Sequence, residues 1–346
     1  MLTRGYRVAI LHTGRHETDE IPAEVEHIHT DPFDAQALNE ALADRTFDLT
    51  IAMYGRLRRI CQTMVGKTAR FLSVGGGPAY LGYMNAGVHN PVGMPVPTPE
   101  DAPYVDSEAD DAKGYRVRKS EEFVFDNHPQ ATHFRYPYVY GPNQLAPRDW
   151  CVVRRVLDKR PHIILADGGL TLNHHGYTAN LGHAVLLAVD QPETAAGQIY
   201  NVGDEETLTL RQMTEIIIAA LESDMQVISM PWELAAPATP LVMQPWTTHR
   251  VFDLSKIKSE LGYRDLVGAR EAVGLAARWL VDHPPPAGGT VERVLQDPFD
   301  YAAEDRLVDA WQSLKAAMPE VEFAQTPGYG ASYSGPGGKP RTRPFD

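Results

Sequence analysis

Short apolar runs alternate with helical or polar stretches along the first half of the chain. The alternation predicts strands at residues 6–12, 24–29, 47–53, 70–74 and 132–140, and helices at 34–43 and 114–125. Strands at this spacing, separated by helices or long connections, are typical of parallel βαβ units. A stretch rich in Pro, Asp and Glu at 90–111 predicts an extended surface loop. The pattern therefore indicates an α/β fold with a parallel sheet.

The second half is less regular and predicts mainly helices. These are expected at residues 150–159, 179–189, 210–221, 253–261 and 270–280, with one strand at 225–230. The helix at 210–221 has the clearest pattern, because Leu210, Met213 and Ile217 recur at helical spacing behind a capping Thr209. A Pro- and Gly-rich segment at 283–289 marks a boundary, and one more helix is expected beyond it.

Composition and charge narrow the range of partners. Of the 346 residues, 43% are hydrophobic and 22% charged, which is typical of a folded globular protein. The formal net charge of -13 disfavours nucleic acid, whose binding needs a basic surface, and favours a small-molecule partner. Cys61 and Cys151 are too few for a disulfide framework, which indicates a reducing, cytoplasmic location. No apolar run reaches the roughly 18 residues of a membrane-spanning helix, and the N-terminal apolar stretch is too short for a signal peptide.

Tyr115 and Lys119 are the first candidates for chemistry. They lie four residues apart, so on a helix they share one face. A neighbouring ammonium group stabilises a phenolate, which makes the phenol a better acid or base at neutral pH. Such a pair can move a proton to or from a hydroxyl or carbonyl oxygen while a nicotinamide cofactor moves the hydride.

Several short motifs surround this pair in a characteristic order. A strand and a glycine turn precede it, and Phe134-Arg-Tyr-Pro-Tyr-Val-Tyr-Gly-Pro142 follows it. Further along stand Ala179-Asn-Leu-Gly-His-Ala-Val-Leu-Leu-Ala-Val189, Gly197-Gln-Ile-Tyr-Asn-Val-Gly203 and Asp253-Leu-Ser-Lys-Ile-Lys-Ser-Glu-Leu-Gly-Tyr263. Over residues 5–282 this ordered set resembles the extended short-chain dehydrogenase/reductases, the NAD-dependent epimerase/dehydratase family.

The resemblance implies a Rossmann-like doubly wound parallel sheet, with a smaller C-terminal α/β lobe for the substrate. It also implies NAD or NADP as the cofactor and, because relatives often dimerise, a homodimer. The implied organisation is an NAD(P)-binding region at 1–150 and a substrate-binding lobe with some returning Rossmann elements at 151–282. Beyond the resemblance, the sequence pattern predicts a linker and helix at 283–327, and a composition rich in Gly, Pro and Ser predicts a disordered tail at 328–346.

The family's site residues carry over as follows. Tyr115 becomes the general acid or base, and Lys119 gains a second role at the nicotinamide ribose. Asp31 matches a residue that contacts the adenine side of the cofactor. Tyr136 and Pro137 fall where the family lines the nicotinamide pocket, although core packing is an equally good explanation of the aromatic residues.

On the substrate side the sequence departs from the family at two positions. Gly76 stands where relatives carry a Ser or Thr that polarises the substrate carbonyl, so a backbone N–H, Tyr80 or Tyr138 would have to supply that hydrogen bond. Asn173 stands where nucleotide-sugar enzymes carry an Arg that grips the diphosphate, which favours an uncharged or smaller carbonyl or alcohol. Tyr177, in the same segment, completes the expected substrate-binding residues.

No metal site is expected. His174 and His175 could suggest a metal, but adjacent residues rarely chelate one ion. No carboxylate or third ligand has a spacing that would help them.

The glycine fingerprint of dinucleotide-binding folds is missing. No Gly-x-Gly-x-x-Gly or Gly-x-x-Gly-x-x-Gly separates a strand from a helix, and residues 4–14 resemble the family's second strand. Two explanations stay open: an upstream segment with the first strand and glycine loop, which is favoured, or a chain that has lost normal dinucleotide binding. The choice between NAD and NADP is also open. His12 and Thr13 replace the acidic residue that favours NAD, while Arg15 either meets a 2′-phosphate or faces solvent.

The sequence thus predicts an NAD(P)-dependent oxidoreductase or epimerase/dehydratase that acts on a secondary alcohol or ketone. Tyr115, assisted by Lys119, is the predicted group for proton transfer. The alternative is a non-catalytic Rossmann-like ligand-binding or regulatory protein, which Gly76 and the missing fingerprint favour.

Overall fold

A computed structural model describes residues 1–15, 17–18, 20–53, 56–242 and 247–325. The tail predicted at 328–346 lies outside these residues. The chain divides into two compact units, 1–299 and 300–346. In the second unit the described residues contain one long helix, α12 (Tyr301–Ala317).

The first unit contains ten strands and eleven helices within the described residues. The strands are β1 (Ala9–His12), β2 (Glu26–His29), β3 (Phe47–Met53), β4 (Thr68–Gly76), β5 (Thr132–Tyr136), β6 (Tyr138–Tyr140), β7 (His162–Ala166), β8 (His175–Tyr177), β9 (Ile199–Asn201) and β10 (Gln226–Met230). The helices are α1 (Ala35–Leu42), α2 (Leu57–Thr63), α3 (Glu108–Asn127), α4 (Trp150–Leu157), α5 (Thr178–Asp190), α6 (Pro192–Ala195), α7 (Leu210–Ala220), α8 (Thr239–Val242), α9 (Ser255–Leu261), α10 (Ala269–Asp282) and α11 (Thr290–Leu295).

Every strand pair in the described residues is parallel. The main sheet has the order β3-β4-β5-β9, and three two-stranded pieces pair β1 with β2, β6 with β8, and β7 with β10. Gly76 at the end of β4 lies opposite Tyr136 at the end of β5. The carboxyl ends of β4 and β5 therefore meet at one edge, which is where ligands bind in open parallel sheets. The α/β fold with a parallel sheet is confirmed.

The sheet is interrupted between β1 and β3. Among the described residues β1 pairs only with β2 and β3 only with β4, so each has one unpaired edge. Both pieces nevertheless share one core, in which Ile28 of β2 packs with Ala52 of β3 and Phe71 of β4. In doubly wound folds the first strand occupies the centre of the sheet. The interruption between β1 and β3 lies at this central position.

Several elements differ from the pattern-based expectation. The predicted strand at 132–140 is two strands, because Pro137 has no N–H to donate to a ladder. The predicted loop at 90–111 ends early, since α3 begins at Glu108 with the Ser107 side chain accepting hydrogen bonds from two backbone N–H groups. Helix α2 and the short strands β7 and β8 are not predicted. Their few residues are too short a sample to show a period.

A second hydrophobic core in the first unit is formed mainly by α4, α7, α10 and β7. The predicted cap of α7 is confirmed as a reciprocal pair: Thr209 Oγ1 accepts from Gln212 N at 3.0 Å, and Gln212 Oε1 accepts from Thr209 N at 2.8 Å. Throughout the described residues, no helix combines the length and apolar character needed to cross a membrane.

Candidate functional site

The Gly75–Gly76–Gly77 run at the carboxyl end of β4 is surrounded by protein atoms. A Cβ added at Gly75 would lie 2.6 Å from His133 Nε2, and one at Gly77 would lie 2.5 Å from the ring of Tyr83. These glycines are therefore required for internal packing, and the space beside them is already filled by side chains. The run does not form an open cradle for a phosphate.

Tyr80 is buried in a polar network directly after this run. Its hydroxyl donates to Asn201 Oδ1 at 2.7 Å and accepts from Arg135 Nη1 at 2.7 Å. The side chain has no exposed surface, and burial raises the pKa of its hydroxyl. Both hydrogen-bonding capacities of the hydroxyl are used inside the core, so the structure places Tyr80 as a supporting residue behind the site.

Tyr115 and Lys119 lie on a different surface. They line a cavity of about 580 Å³ beside α2 and α3, and none of the other predicted site residues lines it. The remaining residues that line it are Arg58, Glu108, Arg116, Glu122, Phe123 and Asp126. Lys119 Nζ lies 5.5 Å from the ring centroid of Tyr115 and donates to Glu122 Oε2 at 2.6 Å. The hydrogen bond to Glu122 raises the pKa of Lys119, so the ammonium group is held charged.

The orientation of α3 explains this placement. Gly114 is buried, and a Cβ there would lie 2.4 Å from the backbone oxygen of Pro78. Glu121, on the same buried side, bonds to Arg135 of β5. Successive residues on a helix are rotated by about 100°, so Tyr115 is turned away from the face that Gly114 presents to the turn after β4. The predicted pair and the glycine run are therefore not brought together.

The predicted cofactor residues lie at the carboxyl ends of three strands. Arg15 lines a cavity of about 240 Å³ after β1, together with His12. Asp31 is exposed after β2, where its Oδ1 accepts from Phe33 N at 2.8 Å. Tyr136 is buried at the end of β5, with its hydroxyl donating to a backbone oxygen in α5, and the neighbouring Pro137 is also buried.

The predicted cofactor residues suit the adenosine end of a dinucleotide better than its central pyrophosphate. The exposed Arg15 and Asp31 offer a cation and a carboxylate at the carboxyl edge, as an adenosine ribose or its 2′-phosphate requires. The described residues supply no glycine loop opening a helix, which is where the pyrophosphate normally lies. Lys119 lies in the cavity beside α2, on the side of α3 turned away from the glycine run.

Another group of polar and aromatic side chains surrounds Tyr138, the first residue of β6. Arg148 Cζ lies 3.8 Å from the Tyr138 ring centroid, and the Tyr83 ring lies 6.3 Å away. Arg250 Cζ lies 5.9 Å from the Tyr83 ring, and Arg250 forms a β-bridge with Asn173. We call these five residues the aromatic–arginine cluster. It adjoins the glycine run, because Gly77 packs against Tyr83.

The two arginines of this cluster have no carboxylate within 4.0 Å among the described residues. Arg250 is 1% exposed; its Nε and Nη1 donate to backbone oxygens, while its Nη2 has no partner. Burial lowers the pKa of Arg250. Arg148 Nη1 and both amide atoms of Asn173 are also buried without a partner. Because buried polar groups are nearly always paired, this concentration points to a ligand.

The other deeply buried arginines show what is unusual about Arg250. Arg135 pairs with Glu121 through two bonds of 2.9 and 2.6 Å, and Arg155 pairs with Asp297 through bonds of 2.7 and 3.1 Å. Each buried guanidinium elsewhere in the first unit thus has its own carboxylate. Arg250 has none among the described residues, so no acidic side chain there neutralises its charge.

The histidines and tyrosine of the segment before α5 have structural roles. His174 Nε2 donates to the backbone oxygen of Asp204 at 2.8 Å, while its Nδ1 accepts from Phe252 N at 2.9 Å. Burial lowers the pKa of His174 to about 4 and that of His175 to about 3, so both rings are neutral at pH 7. Tyr177 is 8% exposed and packs in the hydrophobic core that α4, α7, α10 and β7 form.

The sequence did not identify Tyr83, Arg148 or Arg250 as site residues. They come from three separate segments, and no motif marks them. No sequence signal marks Arg250 in particular, because its importance depends on its burial, which only the structure shows.

Comparisons with known proteins confirm the fold. No family model matches the sequence. The uncharacterized protein YbjS of Escherichia coli is 25% identical over 191 residues, which are 49% of this chain and 57% of that protein. This chain spans about half the length of the curated relatives with which it aligns over the most residues.

Solved structures align over more of the chain. UDP-glucose 4-epimerase from Thermotoga maritima, in its structure with UDP-glucose, gives a TM-score of 0.64 at 16% identity and covers 82% of this chain and 93% of its own. The enzyme WbmG of Bordetella bronchiseptica, in complex with NAD, gives a TM-score of 0.62 at 15% identity, with coverages of 82% and 88%. The Rossmann-type fold that the motifs imply is therefore present.

Proposed function

We propose that this chain, which has the fold of the extended short-chain dehydrogenase/reductases, is an NAD(P)-dependent enzyme of the epimerase/dehydratase or oxidoreductase type. Its substrate is a secondary alcohol or ketone that also carries an anionic group such as a phosphate. The observation that carries this proposal is the buried, unpaired Arg250 in the aromatic–arginine cluster, at the edge of the sheet where such folds bind ligands.

We propose a substrate with an anionic group instead of the uncharged substrate that Asn173 alone suggested. Asn173 lacks the charge of the arginine it replaces, but Arg148 and Arg250 bring two guanidinium groups to the same cluster from other segments. A guanidinium binds phosphate oxygens through parallel N–H donors. Tyr83 and Tyr138 add aromatic surfaces on which the uncharged part of the substrate can pack. The structures with UDP-glucose and with NAD are similar in fold, which supports the same ligand classes here.

NAD or NADP would supply the hydride acceptor or donor. Arg15 and Asp31 would hold its adenosine end at the carboxyl ends of β1 and β2. We assign Tyr136 and Pro137 to the wall behind the nicotinamide rather than to direct polar contacts, because both are buried.

For proton transfer we retain Tyr115 and Lys119. Glu122 keeps Lys119 charged, and the Lys119 ammonium group lies 5.5 Å from the centroid of the Tyr115 ring. In this role the Tyr115 phenol moves the proton at its Oη. The role requires the substrate to reach the face of α3 that carries the pair.

A second candidate is a ligand-binding protein without turnover. The placement of Tyr115 and Lys119 in a cavity that excludes the glycine run favours it, as does Gly76 in the place of a hydroxyl. In this case the aromatic–arginine cluster binds the same anionic ligand, and no proton is transferred.

Tyr115→Phe separates the two candidates. The tag-free protein is incubated with NAD or NADP and UDP-glucose, glucose 1-phosphate or an uncharged sugar alcohol, and products and nicotinamide absorbance are followed. For the enzyme we expect turnover of a phosphate-bearing substrate that falls by at least about 100-fold in Tyr115→Phe and is unchanged in Tyr6→Phe. Phosphate-ligand binding with no turnover in any protein supports the second candidate. Turnover that survives in Tyr115→Phe keeps the enzyme and removes Tyr115 from its mechanism.

A further inference from the structure

Three histidines and one glutamate converge at the carboxyl ends of β1 and β2. Their ligand atoms, His12 Nε2, His27 Nδ1, His29 Nε2 and Glu17 Oε1, all lie within 4.8 Å of one another. None of these residues belongs to the aromatic–arginine cluster, and the proposed function assigns no role to any of them, although His12 also lines the cavity that contains Arg15. We propose that they form a site for one divalent transition-metal ion, of which Zn²⁺ is the best match.

The strand register brings the histidines together. In the parallel β1–β2 pair, Ile10 lies opposite His27 and His12 lies opposite His29. Side chains two residues apart on a strand point to the same face, so His27 and His29 share a face with His12. His12 Nε2 lies 2.9 Å from His27 Nδ1, and the three ring centroids are 4.9 to 5.8 Å apart.

The turn after β1 supplies the fourth ligand. Gly14 has a φ of +75°, a conformation that favours glycine, and this turn brings the chain back over β2. Glu17 Oε1 then lies 2.5 Å from His29 Nε2, 3.6 Å from His27 Nδ1 and 3.7 Å from His12 Nε2. One carboxylate oxygen therefore faces all three imidazoles.

The spacing and chemistry of these atoms suit zinc. With metal–ligand bonds of about 2.0–2.1 Å, the ligand atoms of a tetrahedral site lie about 3.3 Å apart. The pairwise distances of 2.5 to 3.7 Å given above bracket this value. Imidazole nitrogens with one carboxylate oxygen form a donor set that selects zinc or another late divalent metal over magnesium or calcium.

Two further features affect how a metal ion binds at this site. The side chains of the four residues are between 24% and 56% exposed, so an ion can enter from solvent. Gly14 N donates to His12 Nδ1 at 3.2 Å, and this long bond is given up when His12 binds metal through Nε2 and carries its proton on Nδ1. Four protein ligands leave no open position, so the ion is structural and ties the Glu17 turn to both strands.

The test uses the full chain without an affinity tag, freed of metal by a chelator and then titrated with CoCl₂ alone and with ZnCl₂ alone. We expect one ion per chain by equilibrium dialysis, the intense visible absorption of tetrahedral Co²⁺, its loss when Zn²⁺ is added, and a higher melting temperature with either metal. His29→Gln and Glu17→Gln should weaken Co²⁺ binding by at least about 100-fold, since even outer-sphere changes cost 10–100-fold. His283→Gln, an exposed histidine elsewhere, is the matched control.

The two substituted side chains are partly exposed, so folding of these variants is expected and is verified by circular dichroism. The site is disproved if the wild-type chain takes up no ion, or if the bound Co²⁺ gives only the weak absorption of a six-coordinate ion. Equal binding by His29→Gln and the wild type also overturns it. Because no nicotinamide or substrate is present, the result is independent of the proposed enzymatic activity.

Discussion

Arg135 and Glu121 form a bidentate ion pair inside the core, with Nε–Oε2 and Nη2–Oε1 distances of 2.9 and 2.6 Å. Arg135 is fully buried and also donates to the Tyr80 hydroxyl. Burial opposes ionisation of Glu121, but the hydrogen bonds and charge of Arg135 outweigh it and lower the pKa of that carboxyl. The pair joins α3 to β5 directly beneath the glycine run.

Removing one partner of this pair should be costly. Glu121→Gln leaves the Arg135 charge uncompensated in the core, and we expect it to lower the free energy of unfolding by about 3–5 kcal/mol. Urea denaturation followed by circular dichroism measures the change. In the double variant Glu121→Leu/Arg135→Met, much of the stability should return, because no charge remains buried. A loss of less than about 1 kcal/mol in Glu121→Gln would show that the pair is exposed to water in solution.

Gly114 determines which face of α3 meets the sheet. A Cβ at this position would lie 2.4 Å from the Pro78 backbone oxygen, so we expect Gly114→Ala to destabilise the protein by about 1–3 kcal/mol. The matched control is Gly182→Ala in α5, where no atom lies within 4 Å of the new Cβ. There the helix propensity of alanine should add about 0.5–1 kcal/mol. Thermal unfolding of both variants tests the prediction, and destabilisation by Gly182→Ala alone would contradict the packing of α3.

The buried His133 and His174 and the half-buried His175 make the free energy of unfolding depend on pH. Burial lowers the pKa of His133 and His174 to about 4 and that of His175 to about 3. The folded state keeps these rings neutral, so their stabilising effect is complete above about pH 6.5 and is lost as the pH falls toward 4. Asp149 and Asp265, with pKa values raised to about 6 by burial, act in the opposite direction over the same window.

The variant His133→Asn isolates the contribution of His133 to the pH dependence of stability. His133→Asn can keep a polar atom near Ser73 Oγ, which lies 2.7 Å from His133 Nδ1, but it does not titrate. The slope of unfolding free energy against pH, measured by urea denaturation at pH 5 and 6, should decrease by about 1 kcal/mol per pH unit relative to the wild type. His283→Asn, an exposed change, should leave the slope unaltered. An unchanged slope in His133→Asn would mean that His133 is already protonated in the folded protein.

Helices and strands that a local residue pattern or a capping residue marks could be predicted from the sequence. Strand β3 (Phe47–Met53) matches its prediction because a β-branched and apolar run lies between polar neighbours, and α7 does so because Thr209 and Gln212 cap it. Strand β8 (His175–Tyr177) is three residues long and forms only because β6 lies beside it. Such a strand has no period of its own, so tertiary pairing determines it.

The candidate sites could not be predicted in full from the sequence, because tertiary contacts bring their residues together from separate segments. Tyr138 was singled out from its place in a motif, but its neighbours Arg148 and Arg250 come from segments with no recognisable pattern. Glu17 belongs with the histidines of β1 and β2 only because Gly14 turns the chain back. The predicted helical pair Tyr115 and Lys119 does share one cavity, yet the sequence did not indicate which side of α3 it would face. The homodimer and the domain boundaries at 150 and 282 stay predictions.

The proposed function depends on the binding of an anionic ligand to Arg250 of the aromatic–arginine cluster. Isothermal titration of the tag-free protein with UDP tests it most directly, with Arg250→Met as the near-isosteric variant and the exposed Arg278→Met as control. We expect saturable binding to the wild type and to Arg278→Met. In Arg250→Met the affinity should fall by about 10–100-fold, since a hydrogen bond to a charged group contributes about 1.5–3 kcal/mol. Equal affinity in all three proteins, or no binding of UDP, ADP or inorganic pyrophosphate to the wild type, would show that Arg250 does not bind an anionic ligand.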